Sequence, residues 1–280
     1  MNGRRSRFLT SVLAFGFAFL YVPILILIIY SFNESRLVTV WSGFSFKWYG
    51  ELLKDRQILD AAWMSLRIAF LTASAAVVLG TAAGHIMARI GRFRGHDLFA
   101  GMITAPLVMP DVITGLSMLL LFVSMEQIVG WPAGRGMLTI WLAHVTFCTA
   151  YVAIVIQSRL RDMDVSIEEA AMDLGARPAK VFFLITLPVI APSLIAGWLL
   201  SFTLSLDDLV IASFVSGPGS TTLPMVIFSS VRLGVSPKIN ALATLIILIV
   251  ALVIIAGNWV GLRAEKKRRR EVQLAQRGEG

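Results

Sequence analysis

Residues Ser166 to Pro188 read SIEEAAMDLGARPAKVFFLITLP, a polar insert between apolar runs with helix signals of its own. Ser166 and Glu169 have the spacing of a capping box. In that motif the hydroxyl accepts a hydrogen bond from the backbone N–H three residues on, and the carboxylate accepts one from the N–H of the cap residue. A short helix is therefore expected from Ile167. Glu168 and Glu169 fall in its first turn, where the positive end of the helix dipole favours acid. Gly175 suits the left-handed C′ position that ends a helix, and Pro178 suits the first position of a second one. Ala171 and Gly175, four residues apart, are small enough for another surface to approach closely.

The flanking sequence is that of a membrane chain. Of 280 residues, 57% are hydrophobic and only 15% charged, with a mean hydropathy of +0.78, which excludes an ordinary soluble core. A bilayer-crossing helix needs about 20 apolar residues. Six runs meet that length: Phe8 to Phe32, Ile68 to Met87, Leu98 to Val123, Leu138 to Gln157, Val189 to Val215 and Ile239 to Leu262. The first follows Arg4, Arg5 and Arg7 but is far longer than the 7–15 apolar residues of a signal peptide, so it reads as a retained span. Most of the 25 Lys and Arg fall on one side if the N-terminus is inside. They include Arg89, Arg92, Arg94, Arg159, Arg161, Arg177, Lys180 and the run from Arg263 to Arg270, and the positive-inside rule then puts both termini and the insert in the cytoplasm. The outer segment Asn33 to Asp60 carries Trp41, Trp48 and Tyr49, as an interfacial aromatic belt would, and has room for a short amphipathic helix. Cys148 has no second cysteine to pair with and reads as packing.

A helix, a glycine turn and a helix is also the outline of a DNA-binding helix-turn-helix. VFFLITLPVI is too apolar for a recognition helix, and spans pin both ends of the insert. The basic tail with the net charge of +8 invites a nucleic-acid reading too, but Lys and Arg just inside a last span follow from topology and anionic lipid alone. No nucleic-acid partner is expected. A plain surface hairpin joining two spans remains as the bland alternative. Against it stands the spacing of Glu169-Ala170-Ala171, Gly175, Ile185 and Leu187-Pro188, which resembles, without gap or substitution, the EAA loop of bacterial ABC importer permeases. The resemblance implies that these seven residues belong to a coupling element, with the helix Ile167 to Leu174 docking in a groove of a cytoplasmic ATPase.

Two spans carry acid. In APLVMPDVITG, Pro106 and Pro110 each remove a helix hydrogen bond, so the third span is expected to kink or break beside Asp111. Freed carbonyls at that depth need protein or a water-filled cavity around them. In SFTLSLDDLVIASF, Asp207 and Asp208 lie inside an apolar run, where each carboxylate costs about 2.5–3.5 kcal/mol near the bilayer centre. Neighbouring helical residues point about 100° apart, so one is expected to face a lumen and the other a helix or the interface. Asp111, Asp207 and Asp208 are the candidate substrate path. Enzymatic sites are not legible: His144, the aspartates and the serines stand at no catalytic or metal-ligating spacing, and no P-loop is present. A pump without an ATP site of its own must borrow one.

Beyond the loop, Ile103 to Phe122, Gly136 to Gln157 and Ser205 to Met225 are similar to the polyamine branch of the same family, the permeases of putrescine and spermidine/putrescine importers. The resemblance implies an all-α, polytopic inner-membrane protein with the six-helix type I ABC importer permease fold. Its parts would be an N-terminal span with periplasmic segment (1–60), a transmembrane domain (61–262) holding the loop 159–188, and a basic cytoplasmic tail (263–280). It also implies a second related permease, two copies of an ABC ATPase and a periplasmic polyamine-binding protein as partners, with ATP and Mg bound by the ATPase and no cofactor in this chain. The alternative from another class is an ion-gradient-driven secondary transporter or channel, with the aspartates as cation sites.

Overall fold

The computed structural model describes residues 2–37, 40–91, 93–234, 236–252 and 255, and it is helical apart from one isolated bridge between Asn33 and Phe44. It divides into two compact units, Met1–Arg56 with Ser229–Gly280, and Gln57–Phe228.

The first unit begins with α1 (Asn2–Tyr30), whose apolar window from Arg7 to Tyr30 has no buried residue within the chain. A turn at Ser31 leads to a loop organised by one side chain. Asn33 Oδ1 accepts from the N–H groups of Ser35 and Ser42, and its Nδ2 donates to Val40 O at 2.7 Å. The expected short helix is α2 (Lys47–Leu52). Trp48 is not part of an interfacial belt: it is buried, with its indole N–H donating to Asn33 O at 2.7 Å, because that carbonyl would otherwise be enclosed without a partner. The sixth predicted span begins as α13 (Pro237–Leu252); its remainder, and the basic tail, lie outside the described residues. Lys238 Nζ pairs with Asp55 at 3.2 Å.

The second unit holds α3 (Arg56–Arg89), α4 (His96–Val108), α5 (Asp111–Val129), α6 (Met137–Asp162), the insert, α10 (Ala191–Asp207), α11 (Val210–Val215) and the start of α12 (Leu223–Leu233). The 34 residues of α3 measure about 51 Å, well beyond the roughly 30 Å hydrocarbon core. It outruns the predicted span Ile68 to Met87 at its N-terminal end because no breaker separates the polar first turns from the apolar ones. The third predicted span, drawn as one run, is two helices: Met109 is extended and Pro110 caps α5, so the chain breaks where the second proline cannot donate.

α6 is the centre of the packing, buried along Ile140, His144, Cys148, Val152, Ile156 and Leu160 at four-residue spacing, and it meets α4, α5, α10 and α11. Two glycines let α3 lie against it. A Cβ on Gly80 would stand 2.6 Å from the Val152 side chain, and one on Gly84 would stand 2.7 Å from Ala153 O. This is the small-xxx-small contact by which membrane helices approach closely. Gly197 of α10 faces the same Val152.

Candidate functional site

The insert folds as α7 (Ser166–Asp173), a glycine turn, α8 (Pro178–Val181), a π turn over Phe182–Thr186, and α9 (Leu187–Val189), leading into α10. The capping box does not form. Val165 is already helical, and its carbonyl accepts from the N–H groups of Glu168 and Glu169 at 2.9 and 3.1 Å, so Ser166 lies inside the helix. Asp164 takes the capping role instead, accepting from Ser166 N–H at 3.0 Å. That bond and one from the Ser166 hydroxyl hold its carboxyl below the usual aspartate range.

Gly175 takes the expected left-handed conformation, φ +85°. Its N–H donates to Met172 O at 2.8 Å, and that of Ala176 donates to Ala171 O at 3.1 Å. These are the paired bonds of a Schellman end. Arg177 is extended, as a residue before proline prefers, and Pro178 opens α8. Glu169, Ala170 and Gly175 are exposed and Ala171 half-buried. They share their surface with Ile167, Met172 and Leu174, the last 90% exposed.

The end of the motif explains the π turn. Pro188 has no N–H to give the carbonyl of Leu184 and its ring would press on that group. The helix widens there, with Leu187 N–H reaching back five residues to Phe182 O. Ile185 lies within that turn and Leu187-Pro188 follow it. The turn aims Thr186 inward, where its hydroxyl donates to Glu168 Oε1 at 2.5 Å. Glu168 Oε2 stands 2.8 Å from Arg89 Nε at the last residue of α3, and both side chains are nearly enclosed, 9% and 13% exposed. One turn earlier on α3, the His85 ring meets Phe182 edge-to-face with centroids 4.9 Å apart. Sequence reading assigned Glu168 only to the helix dipole. No local signal marks it, since neighbouring helical residues point only about 100° apart and Ala170, the other neighbour of exposed Glu169, is exposed as well.

The second site is a cleft of about 340 Å³ in the same unit, lined by Pro106, Asp111, Thr114, Phe147, Tyr151, Leu204, Asp207 and Asp208 with residues 209–211. It brings all three predicted path aspartates together from the break between α4 and α5 and the break between α10 and α11. The two adjacent acids are not helical neighbours, since α10 ends at Asp207 and Asp208 is extended. Asp208 caps α11, accepting from the N–H of Ala212 at 2.7 Å and of Ile211 at 3.3 Å, and its Oδ2 lies 3.1 Å from His144 Nε2. The other His144 nitrogen meets Ser205 Oγ at 2.7 Å, and His144 is 1% exposed. Asp207 and Asp111 are exposed and make no ion pair among the described residues. No group of three or more His, Cys, Asp or Glu suited to a metal occurs among those residues. Cys148 is buried, with Sγ 3.6 Å from Ser201 O.

An all-helical bundle with apolar spans, an exposed helical hairpin and an acidic cleft defines a membrane transport subunit. Residues 76–270 match the family described as binding-protein-dependent transport system inner membrane component, and the chain belongs to it. It is 66% identical over 274 residues, 98% of each chain, to the putrescine transport system permease protein PotI of Escherichia coli (strain K12). It is 40% identical over 262 residues to the spermidine/putrescine transport system permease protein PotC of the same strain, covering 93% of this chain and 95% of that one. Among solved structures it resembles a chain of a bacterial ABC transporter that imports alginate, with TM-score 0.69 and 16% identity over 92% of this chain and 96% of that one. A chain of the inward-facing methionine transporter MetNI aligns with TM-score 0.60, 16% identity and coverage of 78% and 97%. The fold is that of ABC importer permeases, and the chain is a transport subunit of that kind, which decides against the ion-gradient alternative.

Proposed function

We propose that this chain is one permease of an ATP-driven importer that carries a polyamine, putrescine foremost, from periplasm to cytoplasm. The observation that supports a polycation most directly is the meeting of Asp111, Asp207 and Asp208 in one cleft beside Phe147 and Tyr151. Carboxylates offset an ammonium's lost hydration and aromatic faces attract it. The relatives named for putrescine and spermidine/putrescine support the same class. Residues 61–262 form the importer domain in this reading, preceded by a span with its periplasmic segment and followed by a basic tail. A second, related permease completes the path. The assembly carries two ATPase copies, which bind ATP and Mg, and one of them docks on this hairpin through Glu169, Ala170, Ala171 and Gly175, with Ile185, Leu187 and Pro188 shaping its return to the membrane. A periplasmic polyamine-binding protein delivers the cargo.

The test is ATP hydrolysis by the complex reconstituted with its binding protein, challenged with diamines, triamines and amino acids of similar length. Stimulation by putrescine above the others is expected; equal stimulation by uncharged or anionic solutes would overturn the polycation reading. Orientation rests on the Lys and Arg asymmetry and has its own assay. In sealed cells, a membrane-impermeant thiol reagent should label Lys54→Cys and spare Arg177→Cys, while buried Cys148 stays silent.

A further inference from the structure

Of the carboxylates outside the acidic cleft, Glu168 is enclosed, with a polar group against each of its oxygens. One oxygen takes the Thr186 hydroxyl at 2.5 Å and the other faces Arg89 Nε at 2.8 Å. Glu168 and its two partners come from three separate parts of the chain: α7, which carries Glu168 itself; the π turn, which carries Thr186; and the last residue of α3, which carries Arg89. His85 on the same face of α3 adds a second contact to the return limb through Phe182. Both limbs of the hairpin are thereby tied to α3, and α3 is in turn seated on α6 through Gly80 and Gly84. Buried ion pairs are weak sources of stability, because desolvation offsets most of the attraction, and their best-attested use is to specify register between elements.

We propose that Glu168 is a positioning residue for energy coupling: it locks the hairpin to α3 and to the π turn, so that displacement of the hairpin moves those helices rather than bending the loop. The proposal rests on the reading of the hairpin as the ATPase-docking element. Without the lock, ATP would still be hydrolysed but would drive less transport.

The experiment compares transport per ATP hydrolysed in proteoliposomes containing the whole importer and its binding protein, with ATPase retention measured by pull-down. Glu168→Gln keeps an acceptor for Thr186 and removes the charge, Arg89→Glu removes it from the other side, and Arg89→Glu with Glu168→Arg restores a pair in reverse. Each single variant should lower the transport-to-hydrolysis ratio at least about fivefold, the low end of ordinary coupling energies, and the reversed pair should recover much of it. If a single variant also sheds the ATPase, recovery of retention and ratio together in the reversed pair supports the lock. A parent-like ratio in both single variants, or a reversed pair no better than its worse single, overturns it. Leu174→Asp, on the exposed face of α7, separates the two readings. If that variant keeps the ATPase as well as the parent does, the docking reading fails, whatever the Glu168 series gives.

Discussion

At Glu168 a carboxylate is closed in by a guanidinium, a hydroxyl and the wall of its own hairpin; at Asp207, in the same unit, a carboxylate stands at a cleft with no ion-pair partner among the described residues. Both lie in a chain where acid is expensive. The first arrangement spends its charge on geometry and leaves nothing for a ligand, whereas the second holds a charge open at the end of a helix. Asp208 shows that adjacency in sequence does not decide which kind a residue becomes. It caps α11, meets His144 and only borders the cleft where Asp207 is exposed.

Breaking the enclosed site should have the largest effect. Glu168→Ala leaves Arg89 buried without its counter-charge, a loss of about 3–5 kcal/mol for removal of one partner of such a pair. The unfolding temperature of the purified subunit complex should fall by several degrees and uptake should approach background. A variant as stable as the parent would mean that the pair is solvated and the comparison false.

The cleft should respond differently. Asp207→Asn is expected to lower uptake at limiting polyamine by roughly tenfold, equivalent to about 1.4 kcal/mol, with membrane abundance unchanged. Asp208→Asn leaves one acceptor oxygen where Oδ1 takes the N–H of Ile211 and Oδ2 takes that of Ala212 and faces His144, so an enclosed polar group loses its partner at a cost of about 1–3 kcal/mol, and membrane abundance should fall as well. Immunoblots beside initial uptake rates distinguish them. If the two variants behave alike, the division between an open and a committed carboxylate does not hold.

Gly175→Val has a smaller expected cost, roughly 1–2 kcal/mol for a side chain in the left-handed region. Among the described residues, no atom outside its immediate neighbours lies within 4 Å of a Cβ there, so a loss beyond that strain reports on a docked partner. ATPase pull-down should weaken more for Gly175→Val than for Ala176→Val. Smallest of all is Asp164→Ala, which removes the bond to Ser166 N–H. Because this carboxyl titrates lower in the folded chain, its contribution is present above the ordinary aspartate pKa and is lost only as pH falls through the lowered one. Hairpin accessibility to protease should therefore be flat in the parent between about pH 6 and 8 and slightly raised in the variant.

What could be read in the chain beforehand follows local rules. Gly175, Pro178 and the break near Pro110 were legible because a missing Cβ or a missing N–H acts on the backbone within a turn. The apolar lengths of the spans were legible because the bilayer imposes them. The capping box failed for an equally local reason: Asp164, two residues upstream of Ser166, reaches its N–H first, and spacing alone does not rank competing acceptors. Glu168 and Asp208 were out of reach on other grounds. Their roles depend on Arg89, Thr186 and His144, which lie 79, 18 and 64 residues away, and nothing in helical periodicity pairs such distant positions. Trp48 was misplaced because a tryptophan beside a membrane satisfies the belt and a small core equally well until the orphan carbonyl of Asn33 is known.

The π turn at Phe182–Thr186 has one more consequence, for the azimuth of everything beyond it. A helix that takes one extra residue in a turn is rotated by about 100° relative to its regular continuation. Gly197, Ser201, Ser205 and Asp207 all lie downstream on α10, and they face Val152, α6 and the cleft by virtue of that phase. The Leu-Pro that ends the motif thus works as a vernier: it sets, from about one turn before α10 begins its run, which side of the helix carries the glycine seam and which carries the acid.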